Sequence, residues 1–165
     1  MIRQSIKHMV HRRKFITQTL AGMAGFALSS HEMFANIIVP QQRKLGVALV
    51  GLGYYSTDLL APGLQLTENC YLAGIVTGTP AKAERWKQQY NIPDKNIYSY
   101  DNFARLADNP AIDIVYIVLP PSMHAEYSIQ GARAGKHVWC EKPMAMTAAE
   151  CQRMIDAANQ NKVQL

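Results

Sequence analysis

The apolar positions of this chain alternate between two patterns. Residues 45–50 (Leu-Gly-Val-Ala-Leu-Val), 71–77 and 112–119 are near-continuous apolar runs, too short for helices, and predict strands buried on both faces. Residues 136–140 predict a further strand, and 96–98 a short one. Between them the apolar residues recur at helical spacing. A helix is predicted over 54–67, with Leu59, Leu60, Leu64 and Leu66 toward the buried side and a kink or late start at Pro62. Another is predicted over 80–90, with Thr79 as N-cap and Pro80 at the first helical position. Asp101 caps a brief helix over Phe103 and Leu106, and a longer helix runs from Ser122 to a terminating Gly135. Thr147-Ala-Ala-Glu150 is a capping box that opens a last helix to about residue 159. Residues 163–165 read as the first residues of a sixth strand cut off by the end of the chain, as in a fragment of a longer protein.

Buried strands alternating with amphipathic helices specify an α/β fold with a doubly wound parallel sheet. At 165 residues the chain holds one such domain, here placed at 44–165. The net charge of +5 does not change that picture, because Arg3, Lys7, Arg12, Arg13 and Lys14 account for all of it. The remainder carries twelve basic and twelve acidic residues, which leaves no electrostatic footprint for nucleic acid. The basic head instead reads as an address. Arg12-Arg13 before an apolar pair, followed by a weakly hydrophobic, glycine-containing stretch, has the layout of a twin-arginine export signal over 1–30. It implies the twin-arginine machinery as a partner and a periplasmic location; an uncleaved N-terminal helix or anchor is the alternative. Residues 31–43 read as an arm. Three cysteines without a Cys-x-x-Cys pair and five histidines without ligand spacing indicate neither a disulfide framework nor a metal site.

In a doubly wound sheet, ligands bind beyond the carboxyl ends of the strands, so the residues after each strand carry the candidate chemistry. After the first come Gly51, Leu52, Gly53, Tyr54 and Tyr55, two glycines at a strand-to-helix turn that let backbone approach a diphosphate, with Ser56 in place of a third glycine. After the second come Thr77, Gly78, Thr79 and Lys82, with no carboxylate for ribose hydroxyls; two hydroxyls and a lysine suit the 2′-phosphate of NADP better than NAD. The plainer alternative makes Thr79 only a cap and Lys82 only a solvated helix residue. After the fourth come Leu119, Pro120 and, one turn on, His124, either a nicotinamide-side contact or a capping or packing residue. After the fifth come Glu141, Lys142 and Pro143. Two charges directly after Val-Trp-Cys must be exposed in a cleft or paired. The Lys142–Pro143 bond, trans or cis, would aim Lys142 into the crevice, where partial burial would lower its pKa for proton transfer.

Gly-Leu-Gly after the first strand, Ala-Gly-Lys-His-Val at 134–138 and Glu-Lys-Pro-Met-Ala at 141–145 resemble the Gfo/Idh/MocA oxidoreductases, and within them the glucose–fructose oxidoreductases. The resemblance runs over about 43–165. It implies a Rossmann dinucleotide-binding domain with NADP as cofactor, hydride transfer between nicotinamide and a sugar hydroxyl or carbonyl, and Lys142 as the catalytic residue beside the nicotinamide ribose. It also implies that Glu141 and His124 line the cofactor, and that Thr77, Lys82 and Tyr98 meet the adenosine phosphate. Pro121 stands where the family often has Asn. The family's C-terminal domain, which supplies the substrate pocket and the oligomer interface, is absent. The chain alone is therefore expected to be inactive, with a homo-oligomer expected only for a full-length protein. Two other functions remain open: an NAD-dependent glycosidase of the same superfamily, and a non-catalytic nucleotide-binding module.

Overall fold

The computed structural model describes residues 43–165; the proposed signal and all but the last residue of the proposed arm lie outside the described residues. Five strands form one sheet: β1 (Leu45–Val50), β2 (Cys70–Val76), β3 (Ile97–Tyr98), β4 (Ile114–Ile117) and β5 (His137–Cys140). Their order is β3-β2-β1-β4-β5 and every pairing is parallel. The strand order therefore reverses between β1 and β4, which opens a crevice at their carboxyl ends. All of the expected strands at 45–140 form, β1 and β2 at the full length of their apolar runs and β4 at half of its run. Val118 and Leu119 continue past β4 as loop, and only Ile114–Ile117 sit in the ladder.

The helices divide between the two faces of the sheet. On one face, α1 (Ala61–Gln65) and α2 (Pro80–Tyr90) bury Ala61 and Trp86 against Leu49, Leu72 and Ile75. On the other, α3 (Pro121–Arg133) and α4 (Ala148–Asn161) bury Tyr127, Ala132 and Ala157 against Val50, Val115 and Val138. Strands that are apolar on both sides are what such a sandwich requires. Close approach of α3 is set by Gly131, where a Cβ would come within 2.5 Å of the Val115 side chain.

Local chemistry explains the departures from the expected elements. α1 is preceded by a π-helical turn at Ser56–Leu60, closed by the Ala61 N–H donating to the Ser56 carbonyl. Pro62 follows within the first turn of α1 and has no N–H of its own to give. Thr79 stands at the N-cap of α2 but its side chain makes no capping bond; its N–H donates to Thr77 Oγ1 at 3.2 Å. Asn102 rather than Asp101 precedes the short 3₁₀ helix Phe103–Asp108, and Asn102 Oδ1 accepts from the Ser99 N–H at 2.9 Å. Thr147 does cap α4, accepting from the Glu150 N–H, while the Glu150 carboxylate reaches back to the Met146 N–H. No regular sixth strand forms at 163–165. The segment still lies along β5, with Val138 N–H donating to the Gln164 carbonyl at 2.8 Å. Arg43, assigned to the arm, is instead tied to the domain through a two-pronged contact with Asp113.

Candidate cofactor-binding site

Because the sheet is wholly parallel, the segments that follow β1, β2, β4 and β5 all emerge on one edge. The ladder continues there through Gly51 N–H to Val76 O (3.0 Å), Val118 N–H to Val50 O (2.9 Å) and Glu141 N–H to Ile117 O (3.1 Å). Only β4 separates β1 from β5, so the glycine loop and the Lys142 turn stand about two strand spacings, roughly 10 Å, apart.

The loop after β1 is built by its glycines and by Ser56. Gly51 has φ +94°, and a Cβ there would lie 2.3 Å from the Val118 carbonyl oxygen, so the position excludes any side chain. At Gly53 the reason is different. No protein atom lies within 4 Å of a built Cβ, and the residue is exposed. The hydrogen at Gly53 keeps a cradle open rather than avoiding a neighbour, which is the shape a diphosphate approaching the first helical N–H groups requires. Ser56 is fully buried and its hydroxyl donates to the Gly51 carbonyl at 2.6 Å. That bond closes the turn from within and accounts for serine at the third glycine position. Thr57 closes it from outside, through both its N–H and its hydroxyl to the Gly53 carbonyl. Tyr54 and Tyr55 flank the cradle, 75% and 40% exposed.

Lys82 reaches across from α2 and donates to the Leu52 carbonyl at 3.0 Å, placing its ammonium at the glycine loop. Thr77 is buried at the end of β2, and Gly78 and Thr79 are exposed beside it, with the Tyr100 ring 3.3 Å from a Cβ built on Gly78. Lys82 bonds the glycine loop directly, and the Gly51 N–H to Val76 O bond sets Thr77 beside that loop. Tyr98 is not among these residues. Its ring is buried and its hydroxyl accepts from Asn109 Nδ2 at 2.8 Å, toward the amino ends of the strands. The carry-over of Tyr98 to the adenosine phosphate is corrected accordingly.

His124 is a second correction. It is completely buried, with Nδ1 2.8 Å from the Pro143 carbonyl oxygen and Nε2 2.7 Å from the Leu119 carbonyl oxygen. No ring nitrogen remains for a nicotinamide contact; of the two roles read from sequence, packing is the one observed. Leu119 packs into the core beside Gly51 and Pro120 is exposed at the start of α3. Glu141 is half-buried and accepts from the Tyr116 hydroxyl at 2.5 Å. Burial, and then the Glu141 carboxylate, push the Tyr116 phenol well above its usual range, so it is the donor. Lys142 is exposed at the crevice, joined to Pro143 by a cis peptide bond; the burial invoked from sequence does not act on it here. The charged pair after β5 is thus accommodated half by pairing and half by exposure. Tyr116 was missed by sequence reasoning, and its signal was a phenol inside a buried strand, which needs a partner for its hydroxyl.

Residues 45–165 match the family model Gfo/Idh/MocA, described as an oxidoreductase family with an NAD-binding Rossmann fold. The chain belongs to this family. Among solved structures it is similar to the aldose-aldose oxidoreductase of Caulobacter crescentus, at 48% identity and a TM-score of 0.74, over 74% of this chain and 37% of that one. It is 28% identical over 124 residues to the dTDP-3,4-didehydro-2,6-dideoxy-alpha-D-glucose 3-reductase of Saccharopolyspora spinosa, covering 75% of this chain and 36% of that protein. It is also 28% identical over 118 residues to the NADP(+)-dependent D-xylose 1-dehydrogenase of Haloarcula marismortui, covering 72% of this chain and 32% of that protein. The chain thus spans about a third of the length of the curated relatives it matches. Its match lies on the nicotinamide-dinucleotide-binding domain. Among the described residues there is no cluster of potential metal ligands, the three cysteines are free, and no helix is long and apolar enough to cross a membrane.

Proposed function

We propose that this chain is the NADP-binding domain of an exported sugar oxidoreductase. The observation that carries the reading is the shared edge: an open glycine cradle, a lysine over it and a second lysine two strands away. Bound NADP⁺ would supply the acceptor for a hydride leaving a sugar CH–OH carbon. Gly51, Gly53 and the first turn of the following helix would seat its diphosphate, while Thr77, Thr79 and Lys82 would face the adenosine ribose and its 2′-phosphate. Lys142 would take the proton of the sugar hydroxyl as the carbonyl forms and return it in the reverse direction. A carbohydrate substrate is supported by the names of the aldose oxidoreductase and the xylose dehydrogenase it resembles. Those relatives are about twice as long, and the reaction belongs to a polypeptide of that length. A chain ending at Leu165 should bind nucleotide weakly and leave sugars unchanged. The Arg12-Arg13 head supports export by the twin-arginine route to the periplasm, with residues 1–30 as the signal, and oligomerisation belongs to the longer protein.

Fluorescence and mass spectrometry of the purified protein for bound NADP(H), together with titrations of NADP⁺ and NAD⁺, test this reading. NADP⁺ is expected to bind more tightly, and Lys82→Asp should reverse the order; an NADP⁺ affinity unchanged by that substitution would reduce Lys82 to a surface residue. Binding of neither nucleotide would overturn this reading and the nucleotide-binding alternative with it.

A further inference from the structure

Lys142 sits just beyond the point where the sheet stops holding the chain. The last ladder bond on that strand is Glu141 N–H to Ile117 O; from there the backbone turns away through the Lys142–Pro143 bond. A catalytic lysine on a loose turn is a poor catalyst, since a displacement of about 1 Å can cost on the order of 100-fold in rate. The residues on either side of Lys142 are nonetheless each tied down by a side chain from elsewhere. On one side the Tyr116 hydroxyl, from the middle of β4, donates to Glu141 at 2.5 Å. On the other the His124 ring, from the first turn of α3, has one nitrogen 2.8 Å from the Pro143 carbonyl oxygen and the other 2.7 Å from that of Leu119.

We infer that Tyr116 and His124 are positioning residues that clamp the 141–143 turn from both sides and so fix where the Lys142 ammonium stands over the crevice; this rests on the proton-transfer role of Lys142 proposed above. Three features favour a clamp over simple packing. His124 is completely buried, in a place where an apolar ring would fill the space without needing partners. The ring is wedged between carbonyl oxygens 5 and 19 residues away, donating its N–H to one and packed against the other, so it bridges the loop after β4 and the loop after β5, which no ladder bond beyond Glu141 does. Tyr116 also stacks edge-on against Trp139, with ring centroids 5.6 Å apart, and this fixes the hydroxyl that meets Glu141. The two ties flank Lys142 and leave its own side chain exposed.

The test uses the longest natural polypeptide that carries this domain, with NADP⁺ and D-glucose or D-xylose as probes. Tyr116→Phe removes one hydroxyl, and His124→Gln keeps a donor but cannot reach both carbonyls. Each should lower kcat about tenfold with the KM for sugar and the affinity for NADP⁺ within about twofold. Hydrogen exchange of peptides covering 140–146, read by mass spectrometry without substrate, should quicken in both variants. In a Lys142→Met background the same substitutions should cost no further turnover, because positioning has nothing left to position. Turnover losses that add fully to that of Lys142→Met, or exchange rates in 140–146 equal to the parent in both variants, would overturn the clamp. If Lys142→Met itself retains full turnover, the catalytic reading of Lys142 fails, and the exchange rates alone decide whether the turn is held.

Discussion

The two ends of this sheet are made from the same strands but differ in what they leave open. At the amino ends the protein satisfies its own donors. Asn109 Nδ2 donates to Asn96 Oδ1 (2.7 Å) and to the Tyr98 hydroxyl (2.8 Å), Asn96 Nδ2 donates to the Ala73 carbonyl (2.7 Å), and Lys136 donates to the Asn109 carbonyl (2.8 Å). Asp113 accepts from Arg43 and from the Gly46 N–H. At the carboxyl ends Gly53, Thr79 and Lys142 are left facing solvent. Closed networks rigidify a fold, and open donors recruit a ligand. The closed network lies at one end of the domain and the proposed binding edge at the other, so substitutions at the two ends should separate cleanly.

The largest separation is expected from Lys142→Met. In the longer enzyme, turnover should fall about 10²- to 10⁴-fold, the range for losing a general acid–base, with thermal stability unchanged because the side chain is exposed. Unaltered turnover in a sugar-dependent NADPH assay would end its catalytic assignment. Next is Asn109→Leu at the opposite end. It strands Asn96 Oδ1 and the Tyr98 hydroxyl in a buried site and the partly buried Ala111 N–H beside them, and each buried group costs about 1–3 kcal/mol. Urea unfolding should show a loss of at least 2 kcal/mol, roughly one such group in full. NADP⁺ affinity of the folded fraction should be intact; a nucleotide defect as large as the stability defect would erase the contrast.

Gly53→Ala should do the reverse. With no protein atom near the added methyl, stability should change by less than about 0.5 kcal/mol. Nucleotide affinity should weaken about tenfold, as expected if a diphosphate uses the cradle. The smallest effect concerns acid. Burial raises the Asp113 pKa, but the Arg43 and Gly46 bonds outweigh it and hold the carboxyl below its ordinary value. A depressed folded-state pKa contributes stability that is full above the unfolded value and is lost as pH falls through the folded one. Asp113→Asn should therefore flatten the decline of stability below about pH 4 and leave it near parent behaviour in acid. A steeper acid decline in the variant would show that the depressed pKa is misassigned.

The succession of strands and helices and the edge on which chemistry gathers were legible because apolar runs and glycine turns are local signals. The Glu141-Lys142 pair was legible for a similar reason: two charges after a buried strand need a cleft or a partner. What was not legible depends on where a side chain's tip goes. The alternation along β3 puts Tyr98 into the core but does not say that its hydroxyl finds Asn109, 11 residues later. His124 falls at a position near the crevice, yet its ring turns inward to a carbonyl 19 residues away that only the fold brings near. Ser56 broke the glycine pattern and lowered the value of the motif, although its hydroxyl closes the same turn from inside. Long-range polar pairings of this kind have no period and no local composition to reveal them.

The Lys82 contact has a consequence for how the loop treats salt. Its ammonium rests on an uncharged acceptor, the Leu52 carbonyl, which ties α2 to the glycine loop. If a nucleotide phosphate takes Lys82, as proposed, it must win the lysine from that oxygen, exchanging a bond between an ion and a neutral oxygen for one between two ions, and that exchange is favoured in dilute buffer. Salt at high concentration screens the attraction between two charges more than the short contact of the ammonium with an uncharged oxygen. Raising ionic strength should therefore return the lysine to its resting place, and discrimination between phosphorylated and unphosphorylated nucleotides should fade while the loop itself stays intact.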